Sequence, residues 1–586
     1  MKFIFSYLKK YRVLIVVAIT IKFLGTLGEL SLPYILEYLI DEVAPTKSLK
    51  MAIFWGSLMI IMALITRILN VTANRRGTAL AQKVTYEMRR DLFFHSVNLS
   101  GSQMDEYGLP SITSRMTSDS YNIQSFIRSM MAIGIRAPIL LIGGICITMT
   151  MDVGMALILC IIAPIVIVCV VFLSMKGIPL FDRVQQFLDK VIRVMRENIT
   201  GILVVKSLSK EDYEIGRFAD ANQDLTKAER TASIVMSLPG SVMNFFLNIG
   251  LTLVVLVGAY RVNAGFAKPG VILAFLTYFN LILHGAMGLN RIFMMLSKAN
   301  ASANRIEAVV KAPNELETIP EESAATTDSR AHIVFDHVSF GYSKNSTVGN
   351  SLHFDGGERQ MSLNDIDFQI AKGSSLGIIG ATGSGKTSIV NLLMRFYDTT
   401  SGHIFINGKD IRTYELNDLR RMFGVVFQND VVFADTLAEN IRFGREVSDE
   451  NLSVAAKDAC AAEFIEDYDD GYQHHAAIHG ANLSGGQRQR LLISRALAVQ
   501  PDILILDDAA SALDYKTDAA LRRAIREHHK NSTTIIIAQR ISSIMTLDKI
   551  IMLDDGKIIG YGTHAELLES CPAYRDIYEA QMGEGE

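Results

Sequence analysis

Long runs of apolar residues dominate the 586-residue chain before about residue 300 and are rare after it. A helix needs about 20 apolar residues to cross the ~30 Å hydrocarbon core of a bilayer. Six stretches reach this length and predict membrane-spanning helices: Val13 to Ile40, Ala52 to Val71, Met130 to Met149, Met155 to Ser174, Ser241 to Val262 and Val271 to Leu296. Thr150-Met151-Asp152 joins the third and fourth stretches, which predicts a tight turn at the membrane surface.

The rest of the chain has a different character, although the average composition, 49% hydrophobic, hides the split. A polar segment rich in Glu, Ser and Thr runs from Pro313 to Arg330 and is typical of a linker. We therefore expect a helical membrane domain over residues 1–312, a linker over 313–331 and a second domain over 332–586. Short apolar runs at Leu376 to Ile379 and Leu504 to Leu506 predict buried strands in that second domain.

The distribution of lysine and arginine predicts the orientation of the spans. Two long segments, between spans two and three and between spans four and five, are rich in these cations: Arg75, Arg76, Lys83, Arg89, Arg90 and Arg115 in one, and Lys176, Arg183, Lys190, Arg193, Arg196, Lys206 and Lys210 in the other. The opposite loops carry only Lys47, Lys50, Arg261 and Lys268. Both long segments, both termini and the second domain are therefore predicted to be cytoplasmic, and the long segments to extend the spans as helices beyond the bilayer.

The N-terminus and the cysteines fit a multi-pass protein with a reduced cytoplasmic part. Met1 to Tyr11 is interpreted as a short helix at the cytoplasmic face, because the apolar stretch after it has full spanning length and lacks a cleavage site. The five cysteines are scattered, without metal-type spacing or a disulfide framework: Cys146, Cys160, Cys169, Cys460 and Cys571.

A glycine-rich loop directly after Leu376 to Ile379 has the order of a phosphate-binding loop: Gly380, Ala381, Thr382, Gly383, Ser384, Gly385, Lys386, Thr387, and then Ser388. The glycines let backbone N–H groups curl around phosphates, Lys386 reaches the β and γ oxygens, and Thr387 holds Mg²⁺. Asp507 ends a predicted strand and supplies a second Mg²⁺ ligand. The sequence thus predicts an α/β P-loop nucleotide-binding domain that takes ATP and Mg²⁺. The alternative is a glycine-rich turn without this function.

A second motif lies between this loop and Asp507: Leu483, Ser484, Gly485, Gly486 and Gln487, followed by a helical pattern from Leu491 to Val499. With this pentapeptide, which is the family's signature, the chain resembles an ATP-binding cassette (ABC) transporter of the exporter type over essentially its whole length. The resemblance implies a membrane domain of six transmembrane helices fused to the nucleotide-binding domain.

The resemblance also assigns roles to other positions. It implies that Tyr342 stacks on adenine, that Gln428 senses Mg²⁺ and the membrane domain, and that Ser511 to Asp514 crosses to a partner cassette. Coupling helices that rest on the cassettes are expected near Gly108 to Arg115 and near Lys206 to Glu214, although these segments could simply be solvated helices. Ser343 to Gln360 is longer than usual for the family and is interpreted as a surface insertion.

Three positions depart from the family pattern. Asp508 stands where a Glu usually polarises the attacking water, and its shorter side chain withdraws the carboxylate; misplacement by about 1 Å can cost about a hundredfold in rate. Gln539 stands where a His usually contacts the γ-phosphate, and it has no protonatable imidazole. Ile478 stands where the loop before the signature usually has a Glu.

These departures, beside an intact loop and signature, resemble one half of a heterodimeric exporter. Family cassettes pair head to tail, so each ATP site joins one chain's phosphate loop to the other's signature. We expect the phosphate loop of this chain to hold ATP and hydrolyse it poorly, and its signature to complete the active site of a second ABC half-transporter that has Glu and His at the two positions.

The transported compound is less visible. Polar residues interrupt the spans: Lys22, Glu29, Glu37, Arg67, Arg136, Asn244, Asn248, Asn280, His284, Asn290 and Arg291. Such residues face a cavity or a partner, so Glu29 and Arg291 are candidates for substrate contact. The alternatives are helix pairing, a position near the end of a span and contact with the other subunit. We expect an exporter in the plasma membrane, surrounded by lipid, that moves amphipathic drugs, lipids or peptides out of the cytoplasm or inner leaflet by alternating access. An ATP-gated regulatory or channel-like protein is the alternative, whereas the six spans exclude a soluble cassette protein acting on nucleic acid.

Overall fold

The computed structural model describes residues 1–313, 315–327, 330–342 and 361–583, so the predicted insertion at 343–360 lies outside the described residues. The chain forms two compact units. The first comprises Met1–Val97 and Pro110–Ala312, and the second comprises Asn98–Leu109 and Pro313–Glu586. A short segment from the N-terminal half therefore belongs to the second unit.

The N-terminal half is helical throughout. Its helices are α1 Lys2–Lys9, α2 Arg12–Tyr38, α3 Leu49–Val97, α4 Gly101–Tyr107, α5 Leu109–Ser114, α6 Ser120–Ser129, α7 Arg136–Met151, α8 Val153–Thr200, α9 Ile202–Ser207, α10 Glu211–Asn263 and α11 Pro269–Val310. π-helical turns extend α2 at Leu39–Val43 and join α5, α6 and α7 at Arg115–Asp119 and Met130–Gly134. Among the described residues, six helices are long and apolar enough to cross a membrane, and they contain the six predicted spans. The predicted six-span fold is confirmed.

Small residues let the spans approach closely where α8, α10 and α11 form a shared core. A Cβ on Gly250 of α10 would lie 2.1 Å from the Phe279 ring of α11, and one on Gly144 of α7 would lie 2.7 Å from Ile282. Larger residues at these two positions would push the helices apart. Close packing of this kind stabilises helix association in lipid, where the hydrophobic effect does not hold helices together.

Polar residues inside the spans pair with one another. Lys22 of α2 donates to Asn70 and Asn74 of α3 at 2.9 and 3.1 Å. Arg136 of α7 forms an ion pair with Glu29 of α2, with Nε donating to Oε2 at 3.0 Å. Glu29 therefore pairs with a residue of another helix, which is one alternative to substrate contact. The turn between α7 and α8 is as tight as predicted, because Asp152 caps α8 by accepting the Met155 N–H at 2.8 Å.

The second unit is built on two sheets. Its strands are β1 Ile333–Gly341, β2 Met361–Ile370, β3 Ser375–Gly380, β4 Ser401–Ile406, β5 Lys409–Asp410, β6 Phe423–Val426, β7 Ile503–Asp507, β8 Thr533–Ile537, β9 Lys549–Asp554 and β10 Lys557–Gly562. β2-β1-β4-β5 form an antiparallel sheet, and β10-β9-β3-β8-β7-β6 form a sheet that is parallel except for β10. Every residue of β7 and β8 is buried, as is typical of parallel strands covered on both faces.

Helices surround these sheets. They are α12 Lys386–Leu393, α13 Leu416–Arg421, α14 Leu437–Arg442, α15 Asp449–Asp458, α16 Ala462–Glu466, α17 Gly485–Leu497, α18 Tyr515–His528, α19 His564–Ser570 and α20 Pro572–Met582. The segment predicted as a linker also lies against this unit where it is described. Buried Arg395 donates to the Glu317 carbonyl at 2.8 Å, and the Ile319 N–H donates to the Arg412 carbonyl at 3.0 Å.

Helix α4 also belongs to the second unit, and it lies just before the range in which the first coupling helix is expected. Ser100 and Gln103 form a capping box at its start, the Gly101 N–H donates to the Phe396 carbonyl at 2.9 Å, and Gly108 ends it with a φ of +71°. The short helix therefore precedes the predicted range of 108–115, most of which forms α5. The second short helix, α9, likewise begins before the predicted start at Lys206.

Candidate functional site

The candidate site lies at one edge of the six-stranded sheet, where β3 and β7 end. Both strands pair in parallel with β8, which lies between them. Their carboxyl ends therefore bring the glycine-rich loop after β3 close to Asp507 at the end of β7. The Thr387 hydroxyl donates to the Asp507 carboxylate at 3.2 Å. The two predicted Mg²⁺ ligands, distant in sequence, are neighbours in the fold.

The glycine-rich loop has a backbone that side chains would obstruct. Gly383 and Gly385 have φ of +87° and +101°, and a Cβ on Gly385 would lie 2.5 Å from Leu363 Cδ2. Lys386 Nζ donates to the carbonyls of Gly380 and Ala381 at 2.8 and 2.7 Å, which draws the loop around the ammonium group. The Ser384 hydroxyl is buried and has no hydrogen-bond partner among the described residues. The unpartnered Ser384 hydroxyl and a loop conformation that requires glycine suit a phosphate ligand.

Burial shifts the pKa values of the charged groups at this site. It lowers the pKa of Lys386, against the opposing effect of the Asp507 and Asp508 carboxylates. It raises the pKa of both carboxyl groups, although the Thr387 hydroxyl acts in the opposite sense on Asp507. In each case the charged form is disfavoured by lost hydration. A ligand with charges of both signs, such as a triphosphate with a divalent cation, would restore favourable interactions to all three groups.

A cavity of about 290 Å³ opens at this sheet edge. Its lining consists mostly of predicted site residues: Tyr342, Ser362, Thr382, Gly383, Gly385, Lys386, Thr387, Ser388, Gln428, Asp507, Asp508, Ile537, Ala538 and Gln539. The Tyr342 hydroxyl lies 3.1 Å from the Ser388 hydroxyl, and its ring meets Tyr397 edge to face with centroids 5.3 Å apart. Gln428 follows β6 and is exposed at the cavity.

Asp508 and Gln539, two of the positions that depart from the family pattern, are in direct contact. Asp508 has a left-handed backbone with a φ of +52°, and its N–H donates to the Ile537 carbonyl at 2.9 Å. The Gln539 side-chain amide donates to Asp508 Oδ2 at 3.2 Å. Sequence reasoning missed Gln581 of α20, whose amide contacts the backbone of Gln539. No motif marks it, because α20 packs beside this loop only in the folded chain.

The signature residues form a separate surface at the start of α17 and lie outside the described lining of the cavity. Ser484 accepts the Gln487 N–H at 3.2 Å, and the Gln487 side chain accepts the Ser484 N–H at 2.9 Å, which completes a capping box. Leu483 is buried and anchors this end. A Cβ on Gly485 would meet Ala512 no closer than 3.9 Å, and one on Gly486 would lie 3.3 Å from the Ala512 carbonyl. Packing within the unit therefore does not require glycine at position 485.

Two further predicted elements flank these surfaces. The Ser511 hydroxyl donates to the Asp508 carbonyl at 2.9 Å, and Asp514 caps α18 by accepting the Thr517 N–H at 2.9 Å. The predicted crossing loop is thus a turn tied at both ends. Ile478 lies in a short turn and is 69% exposed, so this apolar side chain covers no core of its own unit.

Comparisons with known proteins agree with this architecture. The model of the ABC transporter transmembrane region matches residues 15–287, and the ABC transporter model matches residues 363–511. The ABC transporter ATP-binding protein YfiB of Bacillus subtilis is 31% identical over 579 residues, covering 99% of this chain and 98% of that protein. Rv1273c of Mycobacterium tuberculosis, with the same description, is 30% identical over 580 residues, covering 98% of this chain and 97% of that protein. The structure of a bacterial Atm1-family ABC exporter with ATP bound has a TM-score of 0.79 at 24% identity, covering 98% of this chain and 99% of that chain.

Proposed function

Because the chain belongs to the ATP-binding cassette transporter family, with the fold of an ABC exporter, we propose that it is one subunit of a heterodimeric ATP-driven exporter. It is a multi-pass membrane protein with six apolar helices. Cassettes of this family bind ATP, generally with Mg²⁺, and couple its hydrolysis to transport. The termini and the second unit lie in the cytoplasm in this proposal, as the distribution of lysine and arginine predicts.

The cavity beside the glycine-rich loop is the proposed ATP site. Bound ATP supplies the phosphoanhydride bond whose hydrolysis drives transport. Loop N–H groups and Lys386 would hold the phosphates, Thr387 and Asp507 would hold Mg²⁺ with Gln428 near it, and Tyr342 would receive the adenine. The contact between Thr387 and Asp507 at 3.2 Å supports this assignment, because one ion could touch both oxygens without movement of the backbone.

The contact between Gln539 and Asp508 carries the proposal that this site hydrolyses ATP poorly. A general base for the attacking water needs a carboxylate at the correct distance, and Asp508 is one methylene shorter than the usual Glu. The amide of Gln539 donates to that carboxylate at 3.2 Å and cannot accept a proton from it. Asp508 and Gln539, which replace the usual Glu and His, are therefore hydrogen-bonded to each other. The groups proposed to bind nucleotide are intact.

The signature surface is proposed to complete the active site of the partner. Gly485 and Gly486, at the start of α17, favour a helix less than Ala would. Packing around Gly485 leaves room for a methyl group inside this unit. Open space on the outer side of the helix is what a partner's nucleotide would need. The partner is then a second half-transporter with Glu and His at the positions equivalent to Asp508 and Gln539.

The proposed substrates are amphipathic drugs, lipids or peptides. Polar residues of the spans and the methionines, 25 in the whole chain, would suit adaptable binding of such compounds. Since Glu29 is paired with Arg136, Arg291 is the stronger candidate of the two for substrate contact: it is exposed on α11 in the isolated chain. The ATP-gated channel-like alternative draws no support from the relatives.

Purified full-length chain tests the assignment of the ATP site. We expect it to bind Mg²⁺-ATP and to hydrolyse it far below the typical enzyme rate of ~10 s⁻¹. Lys386→Ala should abolish binding and serves as the control. Asp508→Glu combined with Gln539→His should raise hydrolysis when the chain pairs with its partner, with a partial gain. Turnover near 10 s⁻¹ by the unmodified chain alone would refute the degenerate site.

A further inference from the structure

The end of the last helix, α20, is hydrogen-bonded to the loop that carries Gln539. We call residues 538–541 the switch loop. Gln581 Nε2 donates to the Gln539 carbonyl at 2.8 Å, and the Ile541 N–H donates to Gln581 Oε1 at 2.8 Å. The side-chain amide of Gln581 thus forms the two backbone hydrogen bonds that a neighbouring strand would form, with Gln539 and Ile541 on either side of Arg540. We call this pair of bonds the amide clip.

Helix α20 is held in place without the clip. Tyr574 is fully buried, and its hydroxyl lies 2.8 Å from His564 Nδ1 of α19. Ile577 and Tyr578 are partly buried and pack against the core around β7 and β8. The apolar face of α20 therefore sets its position. Gln581 lies exposed near the end of the helix and adds its two polar contacts to an already anchored element.

The switch loop leaves β8 directly beside the nucleotide cavity. Ala538 N–H donates to the Ile378 carbonyl at 3.2 Å, which fixes the start of the loop against β3. Beyond that point, the clip holds the carbonyl of the same residue whose side chain reaches Asp508. Rotation of the backbone at Gln539 would break the bond to Gln581 and swing the side chain away from Asp508. The direction of the Gln539 side chain is thus coupled to α20.

We propose that Gln581 is a positioning residue of the nucleotide site, which holds the switch loop so that the Gln539 side chain points into the cavity. It acts through Gln539 and does not itself line the cavity. The inference rests on the proposed function only for the identity of the ligand, ATP.

A double-mutant cycle on the full-length chain tests this coupling. The probe is Mg²⁺-ATP, and the readout is its dissociation rate after dilution into excess unlabelled nucleotide. A net hydrogen bond contributes about 1 kcal/mol, which corresponds to about a fivefold change. We expect Gln581→Ala and Gln539→Ala each to speed dissociation by about that factor, and the double variant to match the single ones. If the double variant instead sped dissociation by the product of the two single factors, the proposal would be overturned, because Gln581 would then act independently of Gln539.

Hydrogen exchange of the nucleotide-free chain tests the clip separately. Gln581→Ala should speed exchange of the Ile541 amide about fivefold. Gln581→Glu keeps the acceptor for Ile541 but cannot donate to Gln539, so it should preserve that protection and still speed ATP dissociation. Glu579→Ala, on the same helix, should change neither quantity and is the matched control. Unchanged exchange at Ile541 in Gln581→Ala would overturn the clip. A chain that binds no ATP would refute the proposed function instead, and this exchange result would still decide the clip.

Discussion

The side-chain amide of Gln539 donates to the carboxylate of Asp508 across 3.2 Å, at the carboxyl ends of adjacent strands β8 and β7. These are the two positions at which the chain departs from the chemistry usual in its family. Because they contact each other, one change constrains the other. An imidazole at position 539 could share a proton with the carboxylate, whereas the amide can only donate a fixed hydrogen bond. The hydrogen bond therefore orders this point of the site, although position 539 has no imidazole.

The first prediction separates the two ATP sites of the proposed heterodimer. Gly485→Ala should leave the stability of the cassette unchanged or raised by up to about 1 kcal/mol, because Ala favours a helix and the new Cβ meets Ala512 at 3.9 Å. It should nevertheless remove most ATPase activity of the co-expressed pair, by placing a methyl group at the partner's nucleotide. Asp508→Ala should reduce this activity much less.

Steady-state ATPase measurements at saturating ATP compare these variants, and thermal unfolding supplies the stability control. Ser484→Ala is a poorer choice, since loss of this helix cap alone costs about 0.5–2 kcal/mol. If Asp508→Ala removed activity as completely as Gly485→Ala, Asp508 would be a working catalytic carboxylate and the proposed division of labour would be wrong.

The second prediction concerns helix α4 within the second unit. The Tyr397 hydroxyl donates to Asp105 at 2.7 Å, and burial, followed by this hydrogen bond, raises the pKa of Tyr397. A double-mutant cycle of Tyr397→Phe and Asp105→Ala, measured by denaturant unfolding of the second unit, should give a coupling free energy of about 1.5–3 kcal/mol, as for hydrogen bonds to charged groups. Tyr515→Phe, at an exposed tyrosine, is the control. Purely additive effects would show that the bond does not hold α4.

The third prediction is a pH dependence centred on His332. This residue is 2% exposed, and burial lowers the pKa of its imidazole. His332 Nδ1 lies 2.6 Å from the Thr533 hydroxyl, which also accepts the Gly373 N–H at 3.0 Å, and burial favours the neutral ring. The unfolded chain therefore binds a proton at higher pH than the folded chain. Stability contributed by the neutral ring is present above the unfolded pKa of about 6.5 and is lost as pH falls through that value toward the folded pKa.

Unfolding of the second unit at pH 7 and pH 5 measures this effect. The unmodified chain should lose more stability between these values than His332→Asn, which cannot titrate. The difference between the two pH slopes isolates His332 from the other titrating groups. Equal slopes would exclude the buried imidazole as a source of acid sensitivity.

The fourth prediction concerns membrane orientation. Single cysteines placed at Lys47 or Lys268, in a background without the native cysteines, should react with a membrane-impermeant maleimide added to intact cells. Cysteines at Arg89 or Lys206 should react only after the membrane is permeabilised. Labelling at Arg89 or Lys206 from outside would reverse the orientation that the charge distribution predicts.

The sequence alone determined the elements whose signals are local. Six apolar runs predict six spans because the thickness of the bilayer sets a minimum length that few other segments reach. The phosphate-binding loop could be recognised because its glycines, Lys386 and Thr387 are contiguous and follow a strand pattern. The turn at Asp152 was equally local, since too few residues separate two full spans to form anything longer.

Tertiary structure decided the contacts between residues distant in sequence. Asp508 and Gln539 meet because β7 and β8 are neighbours in the sheet, and strand order is not written in either segment. The family resemblance placed the first coupling helix near 108–115, whereas the short helix α4 begins at Gly101, where Ser100 and Gln103 cap it through reciprocal hydrogen bonds. Gln581 lies 42 residues after Gln539 and carries no motif. Its amide reaches the switch loop only because the apolar face of α20 packs against the core, and such packing depends on the complementary shape of the whole domain.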